Sequence, residues 1–274
     1  MINQAIILAA GKGSRLSKYT QNVPKALLPI KYGKTILERM LRKLIKNNID
    51  NIIIVLGYQE ANSKLYIKEL SKAYNELNII TANNLDYAIT GTLKSLLIGL
   101  GEISNSKGDV LIIEGDVVCE DSILQDILSA RRNIIAVDSG SKLGDEEMKY
   151  VISDSDTIHE ISKELRIKDA HGEYTGILRL LESNINNFIS IGEEIYKKNN
   201  LAFYESIIDS GEIIFNYLDI FPKKWTEVDF PQEYKKARQI FSDEKKISIN
   251  YSLFEQTSHS PSLFSLIDDP DVKI

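Results

Sequence analysis

The chain contains one cysteine, Cys119, among 274 residues, so no intramolecular disulfide can form. It has no apolar run approaching about 18 residues, and so offers no segment to span a bilayer. It also lacks an excess of positive charge. With 33 basic and 39 acidic residues the net charge is −6, which excludes a broad electrostatic footprint for DNA, RNA or an anionic membrane. Any polyanion must enter a local basic pocket. Histidines are scarce, and His159, His171 and His259 show no ligand spacing to one another, so none is assigned to a metal. The apolar N-terminal run is short and has no basic residues before it, which reads as a buried strand and not as a signal segment. No internal repeat or low-complexity tract is present. A cytoplasmic protein is the expectation.

What is present is ordinary for a globular protein, with 43% hydrophobic and 26% charged residues. The length suits one large α/β domain with a small appendage. Residues 5–10 are continuously apolar and read as a buried strand, followed by a glycine loop. Residues 35–47 carry apolar side chains at helical spacing, and Thr35 with Glu38 forms a capping-box pattern. Further strands are expected at 52–56, 79–81, 110–114 and 134–137, and helices at 60–74, 92–100 and 122–131. This alternation predicts a mostly parallel sheet covered on both faces. After residue 140 the pattern changes. A hairpin is expected at 150–153 and 158–162, turning at Asp154-Ser155-Asp156. Helices follow at 185–198 and 201–210, then strands at 213–218 and 225–228, and a helix from Pro231. Residues 241–274 have weak periodicity and read as a loose tail or linker.

The most informative stretch is Leu8-Ala9-Ala10-Gly11-Lys12-Gly13-Ser14-Arg15-Leu16, followed by Pro24-Lys25-Ala26-Leu27-Leu28-Pro29. A glycine loop after a strand lets backbone N–H groups approach phosphates closely. It is not a dinucleotide fingerprint, because the third glycine would fall at Leu16, and it is not a P-loop. The glycines alone would also suit a plain turn flanked by solvated basic residues. In combination the two segments resemble the nucleotidyltransferase family of sugar-1-phosphate nucleotidylyltransferases and phosphocholine-type cytidylyltransferases. The resemblance covers roughly residues 3–240, departing at Ser14 and Ser17, where Thr and Pro are common. It implies a Rossmann-like, mostly parallel mixed sheet with helices on both faces, plus a small acceptor-side insertion, with the nucleotidyltransferase domain spanning 1–240.

The resemblance also implies roles. Leu8, Ala9, Ala10, Gly11, Gly13 and Ser14 would wrap the NTP phosphates. Arg15 would stabilise departing pyrophosphate, and Lys25 would contact phosphate. Asn84, Thr90, Thr92 and Ser95 resemble the base-recognition segment, although Thr and Ser are also ordinary helix caps. Gly115 and Asp116 end a strand, where ligands of open α/β sheets bind. Asp116 and Asp229 would ligate Mg²⁺; each also reads as a turn or capping residue. Lys163 would hold the acceptor's phosphate, and Glu173 and Tyr174 lie in the acceptor segment. A carboxylate attracts an ammonium, and a tyrosine face adds about 0.5–2 kcal/mol of cation–π attraction. The activity implied is transfer of CMP from CTP to a small phosphorylated or phosphonate acceptor of the phosphocholine, 2-aminoethylphosphonate or phospho-amino-acid-amide type. Sugar-1-phosphate nucleotidylyl transfer and an inactive regulatory subunit are the alternatives. The partners are CTP and the acceptor, without nucleic acid or membrane, and a homo-oligomer is compatible with the reading.

Overall fold

The computed structural model describes residues 2–31, 34–103 and 108–240; the tail expected at 241–274 lies outside them. The first half of the chain runs β1 (Ile2–Ala9), α1 (Ser17–Thr20), β2 (Pro29–Lys31), β3 (Lys34–Thr35), α2 (Ile36–Lys46), β4 (Asn51–Leu56), α3 (Glu60–Ala73), β5 (Asn78–Asn83), α4 (Thr92–Gly101), β6 (Asp109–Glu114), β7 (Val117–Cys119) and α5 (Asp121–Ser129). It continues with β8 (Ile134–Asp138), β9 (Lys149–Ile152), β10 (Ile158–Ser162), β11 (Gly172–Leu180), α6 (Ile185–Lys198), α7 (Glu205–Asp209), β12 (Asn216–Asp219), β13 (Trp225–Glu227) and α8 (Pro231–Ile240).

The main sheet has the order β10-β9-β11-β6-β1-β4-β5, with β8 pairing β11 and β12 pairing β8. β6, β1, β4 and β5 are parallel, whereas β11 lies antiparallel to β6 and β8. The sheet is therefore mixed, with a parallel half and an antiparallel extension. β1 lies between β6 and β4 in the parallel half, and its pleat sends successive side chains to opposite faces. Ala5, Ile7 and Ala9 join the core built with Leu37, Leu41 and Ile67, and Ile6 joins the core built with Leu93, Leu96 and Phe188. Burial on both faces explains the continuously apolar run that marks this strand in the sequence. Antiparallel β7–β13 and β2–β3 pairs form two small sheets beside the main one.

Thr35 caps α2 as expected, its hydroxyl accepting from the Glu38 N–H at 3.1 Å. The Glu38 carboxylate instead accepts hydroxyls from Tyr66 (3.2 Å) and Tyr74 (2.8 Å), tying α3 to α2. The helix expected at 201–210 is shorter, Glu205–Asp209, and the strand expected at 213–218 begins at Asn216. β11 is a nine-residue strand that the sequence did not announce. Among the described residues no helix is long and apolar enough to cross a membrane.

Candidate active site

The site forms at the C-terminal edge of the parallel strands, where chain ends leave a crevice. Gly115 follows β6, and its N–H donates to the Leu8 carbonyl at 2.9 Å. A Cβ there would stand 2.6 Å from that same oxygen, so only glycine permits the approach. The contact holds Asp116 just beyond the end of β1. Asp116 is 7% exposed. One of its carboxylate oxygens pairs with the Lys25 ammonium, and the other, Oδ1, is buried with no hydrogen-bond partner.

Lys25 begins a short 3₁₀ turn after Pro24. Its Nζ reaches Asp229 Oδ1 at 2.5 Å and also touches Asp116. Burial alone would lower the Lys25 pKa, but the Asp116 and Asp229 charges outweigh it and hold the ammonium well above its ordinary value. Arg15 donates to Asp229 Oδ2 at 3.2 Å, pairs with Glu146, and stacks 5.3 Å over the Phe230 ring. Burial opposes the Asp229 charge, yet Lys25 and Arg15 keep its pKa below the usual carboxylate range. Asp229 does not cap α8. The Glu233 carboxylate does so, accepting the N–H groups of Asp229 (2.7 Å) and Phe230 (2.9 Å), which frees the Asp229 side chain to face the glycine loop.

Asp116 and Asp229 thus converge on one point in space, and their oxygens are the hard donors that Mg²⁺ takes. Asp116 Oδ1 retains its lone pairs for such a ligand. Among the described residues no group of three or more acidic, His or Cys side chains is arranged to cage an ion. Mg²⁺ relies on one or two carboxylates plus waters and substrate phosphates.

The base-recognition segment is internally committed. Asn84 is buried, and both its amide N–H groups are spent, on Thr90 Oγ1 at 3.1 Å and Ser95 Oγ at 3.0 Å. Thr90 donates onward to the Asp86 carbonyl, and Thr92 Oγ1 accepts from the Tyr204 N–H at 3.2 Å. These side chains shape the segment through bonds among themselves.

On the acceptor side, Lys163 lies 5.5 Å over the Phe203 ring, and its charge acts on both Asp229 and Glu205. Glu173 accepts from the Ser141 hydroxyl. Burial pushes its pKa up to about 7, with Glu147 and Asp138 adding to the rise. Tyr174 is a correction. It is 1% exposed, packs in the core and shares its hydroxyl with Tyr204 at 2.9 Å. Adjacent residues of β11 point to opposite faces of the sheet, so Glu173 and Tyr174 cannot line the same pocket, and the Tyr174 ring has no free face for a ligand.

The structure adds acidic groups that sequence reasoning missed. Glu114 accepts the Tyr204 hydroxyl at 3.0 Å, and burial followed by the nearby Asp116 charge pushes its pKa up to about 7. Glu205 is 4% exposed, its Oε2 has no hydrogen-bond partner, and burial and Glu114 hold its pKa well above the usual range. Glu227, in β13, is raised by burial and by Glu114 and Asp116. One available signal was an acid, Glu205, on the apolar face of an amphipathic stretch.

Residues 5–175 match the model of the MobA-like NTP transferase domain. The Bifunctional protein GlmU of Methanococcus maripaludis is 33% identical over 216 residues, which is 76% of this chain and 44% of that protein. The CMP-5'-(3-aminopropyl)phosphonate synthase of Streptomyces rubellomurinus is 27% identical over 253 residues, 87% of this chain and 39% of that protein. The chain therefore spans less than half the length of either relative. The inositol-1-phosphate CTP transferase of T. maritima superposes with a TM-score of 0.70 at 20% identity, covering 88% of this chain and 97% of that one. That likeness shows a shared fold.

Proposed function

Because the chain belongs to the MobA-like NTP transferase family, we propose that it transfers CMP from CTP to a small phosphorylated or phosphonate acceptor and releases pyrophosphate. The observation that carries the reading is the convergence of Arg15, Lys25, Asp116 and Asp229 at the C-terminal edge of β1 and β6.

In the proposed reaction an anionic oxygen of the acceptor attacks the α-phosphorus in line. One P–O bond forms, the bond to the bridging β-phosphate oxygen breaks, and its electron pair leaves with pyrophosphate. The nucleophile is already ionised near neutral pH, so the protein's task is positioning and charge stabilisation. The glycine loop from Ala10 to Ser14 presents backbone N–H groups to the phosphates. Arg15 and Lys25 offset the charge that grows on the leaving group. Lys163 orients the acceptor's phosphate or phosphonate. Asp116 and Asp229 would hold Mg²⁺, which supplies Lewis-acid neutralisation of phosphate oxygens when bound.

Glu205, a buried acid on which the Lys163 charge acts, favours an acceptor with a cationic nitrogen at its far end. Glu205 is buried, its Oε2 has no hydrogen-bond partner, and an ammonium would satisfy that oxygen. A relative named for making a CMP-aminopropylphosphonate supports both the nucleotide and this acceptor class. A sugar 1-phosphate acceptor is the second reading, favoured by the likeness to GlmU. A pyrophosphate-release assay over four nucleotides, against phosphorylated amines, alcohols and sugars, separates the two. Glu205→Gln should raise KM for the aminated acceptor and spare its hydroxyl analogue; equal losses on both would remove Glu205 from acceptor binding.

A further inference from the structure

The gap between Asp116 and Asp229, proposed above to take Mg²⁺, is bridged by Lys25. Its Nζ stands 2.5 Å from Asp229 Oδ1 and in direct contact with the Asp116 carboxylate. A Mg²⁺ ion ligated by both residues would sit about 2.0–2.1 Å from their oxygens. Drawing on the oxygens that Lys25 now holds, Asp116 Oδ2 and Asp229 Oδ1, it would fall on or against the same nitrogen, and two cations cannot share that space. We infer that Lys25 and a divalent cation are alternative occupants of one site, and that the nucleotide's phosphates select between them by drawing Lys25 off the carboxylates. This rests on the proposed function only for where the phosphates lie.

Three features support the exchange. The first is cost. The Asp116 side chain is 10% exposed and the Lys25 side chain 16%. Asp116 and Asp229, whose side chain is 29% exposed, share that one ammonium and need a counterion, because removing one partner of a buried pair leaves the other charge uncompensated. A lysine that steps in whenever the metal is away meets that need without a ligand. The second is reach. The Lys25 stem lies along the glycine loop: a Cβ built on Gly13 would meet Lys25 Cβ at 3.2 Å and Cδ at 3.4 Å. A flexible four-carbon stem so placed can carry its ammonium from the carboxylates to a phosphate cradled by the loop. The third is the orphaned Asp116 Oδ1. A lysine hydrogen bond satisfies Asp116 incompletely, whereas a metal ion with its waters can use the remaining lone pairs.

The consequence is coupling between ligands. Nucleotide-free protein presents its metal site closed, so its apparent metal affinity is lowered by the small fraction of time the site stands open. Phosphates that capture Lys25 open it, and by linkage the metal strengthens nucleotide binding equally.

Mn²⁺ binding to the nucleotide-free protein, followed by the spin signal of free Mn²⁺, tests this in wild type and in Lys25→Met, which keeps the stem's bulk and removes the charge. If the wild-type site is open about a tenth of the time or less, the variant binds Mn²⁺ at least about tenfold more tightly. Equal or weaker binding by the variant overturns the inference and leaves Lys25 a permanent member of a structural ion pair. Should Lys25→Met fail to fold, the wild type supplies the answer through acetylation of its lysines read by mass spectrometry. Saturating Mn²⁺ should raise the acetylation rate of Lys25 severalfold while that of exposed Lys12 stays constant; an unchanged Lys25 rate overturns it. Neither measurement involves nucleotide or turnover, so either can fail while CMP transfer stands, or succeed while it falls.

Discussion

Arg15 and Asp229 are more than two hundred residues apart in sequence, yet meet at 3.2 Å. Their partnership, and that of Lys25 with both aspartates, is the part of the site most nearly written in the chain, because each residue sits in a recognisable segment. Removing the positive charge of Arg15 should lower kcat strongly. Loss of one preorganised stabiliser typically costs about 10²–10³-fold. The Arg15 side chain is 40% exposed, so Arg15→Ala should leave the thermal midpoint nearly unchanged, since exposed ion pairs contribute only about 0–1 kcal/mol. Steady-state kinetics alongside a thermal melt checks both halves, and activity within about threefold of wild type would remove Arg15 from the phosphate site. Tyr174 was harder to read. Its spacing beside Glu173 suggested a shared pocket, and the pleat of β11 separates them. Tyr174→Phe should therefore leave acceptor KM alone while costing about 1 kcal/mol through the lost hydroxyl bond to Tyr204, measured by urea unfolding. Glu205 left only a faint trace, an acid on an apolar face, because its chemistry depends on burial, which residue type alone does not disclose.

At the scale of elements, the buried strands and the long helices followed directly from apolar periodicity, and β11 did not. Its first half, Gly172-Glu173-Tyr174-Thr175-Gly176, carries two glycines, which weaken the strand signal. Gly176 has φ of +72°, and pairing with β8 shifts register between Tyr174 and Leu178, the marks of an irregularity built on glycine. A Cβ at Gly176 would meet Val117 and Glu114 side-chain atoms at 3.0–3.1 Å. Gly176→Ala should thus destabilise the protein by about 1–3 kcal/mol, and a denaturant midpoint equal to wild type would show the bend to be dispensable. The same strand carries a pH effect. Glu173 holds its proton up to about pH 7 when folded, against an ordinary value of 4.5. Between those values the unfolded chain releases a proton that the folded chain keeps, so stability falls as pH rises through this window and then levels. Glu173→Gln should flatten that part of a stability-versus-pH curve; a slope identical to wild type would place the titrating group elsewhere.

Taken whole, the molecule is a mixed sheet with a parallel half and an antiparallel extension; on the proposed function the first would supply the nucleotide end of the crevice and the second the acceptor end. The sequence disclosed the first half well, since phosphate chemistry needs glycines, a lysine and carboxylates at fixed offsets from strand ends. It disclosed the second half poorly, since the fold brings together buried acids, Glu114, Glu205 and Glu227, that come from three distant segments. The central claim, that this crevice moves CMP onto a small amine-bearing phosphate or phosphonate, can be tested in one vessel. Equimolar CTP, UTP, ATP and dTTP compete, with Mg²⁺, for the enzyme in the presence of phosphocholine, 2-aminoethylphosphonate and glucosamine 1-phosphate, and the nucleotidyl products are identified by mass. The ratio of products reads the ratio of kcat/KM directly. A CMP adduct of an aminated phosphate or phosphonate should lead every other product by about tenfold or more; a UMP or dTMP adduct of the sugar phosphate leading by the same margin would contradict the account.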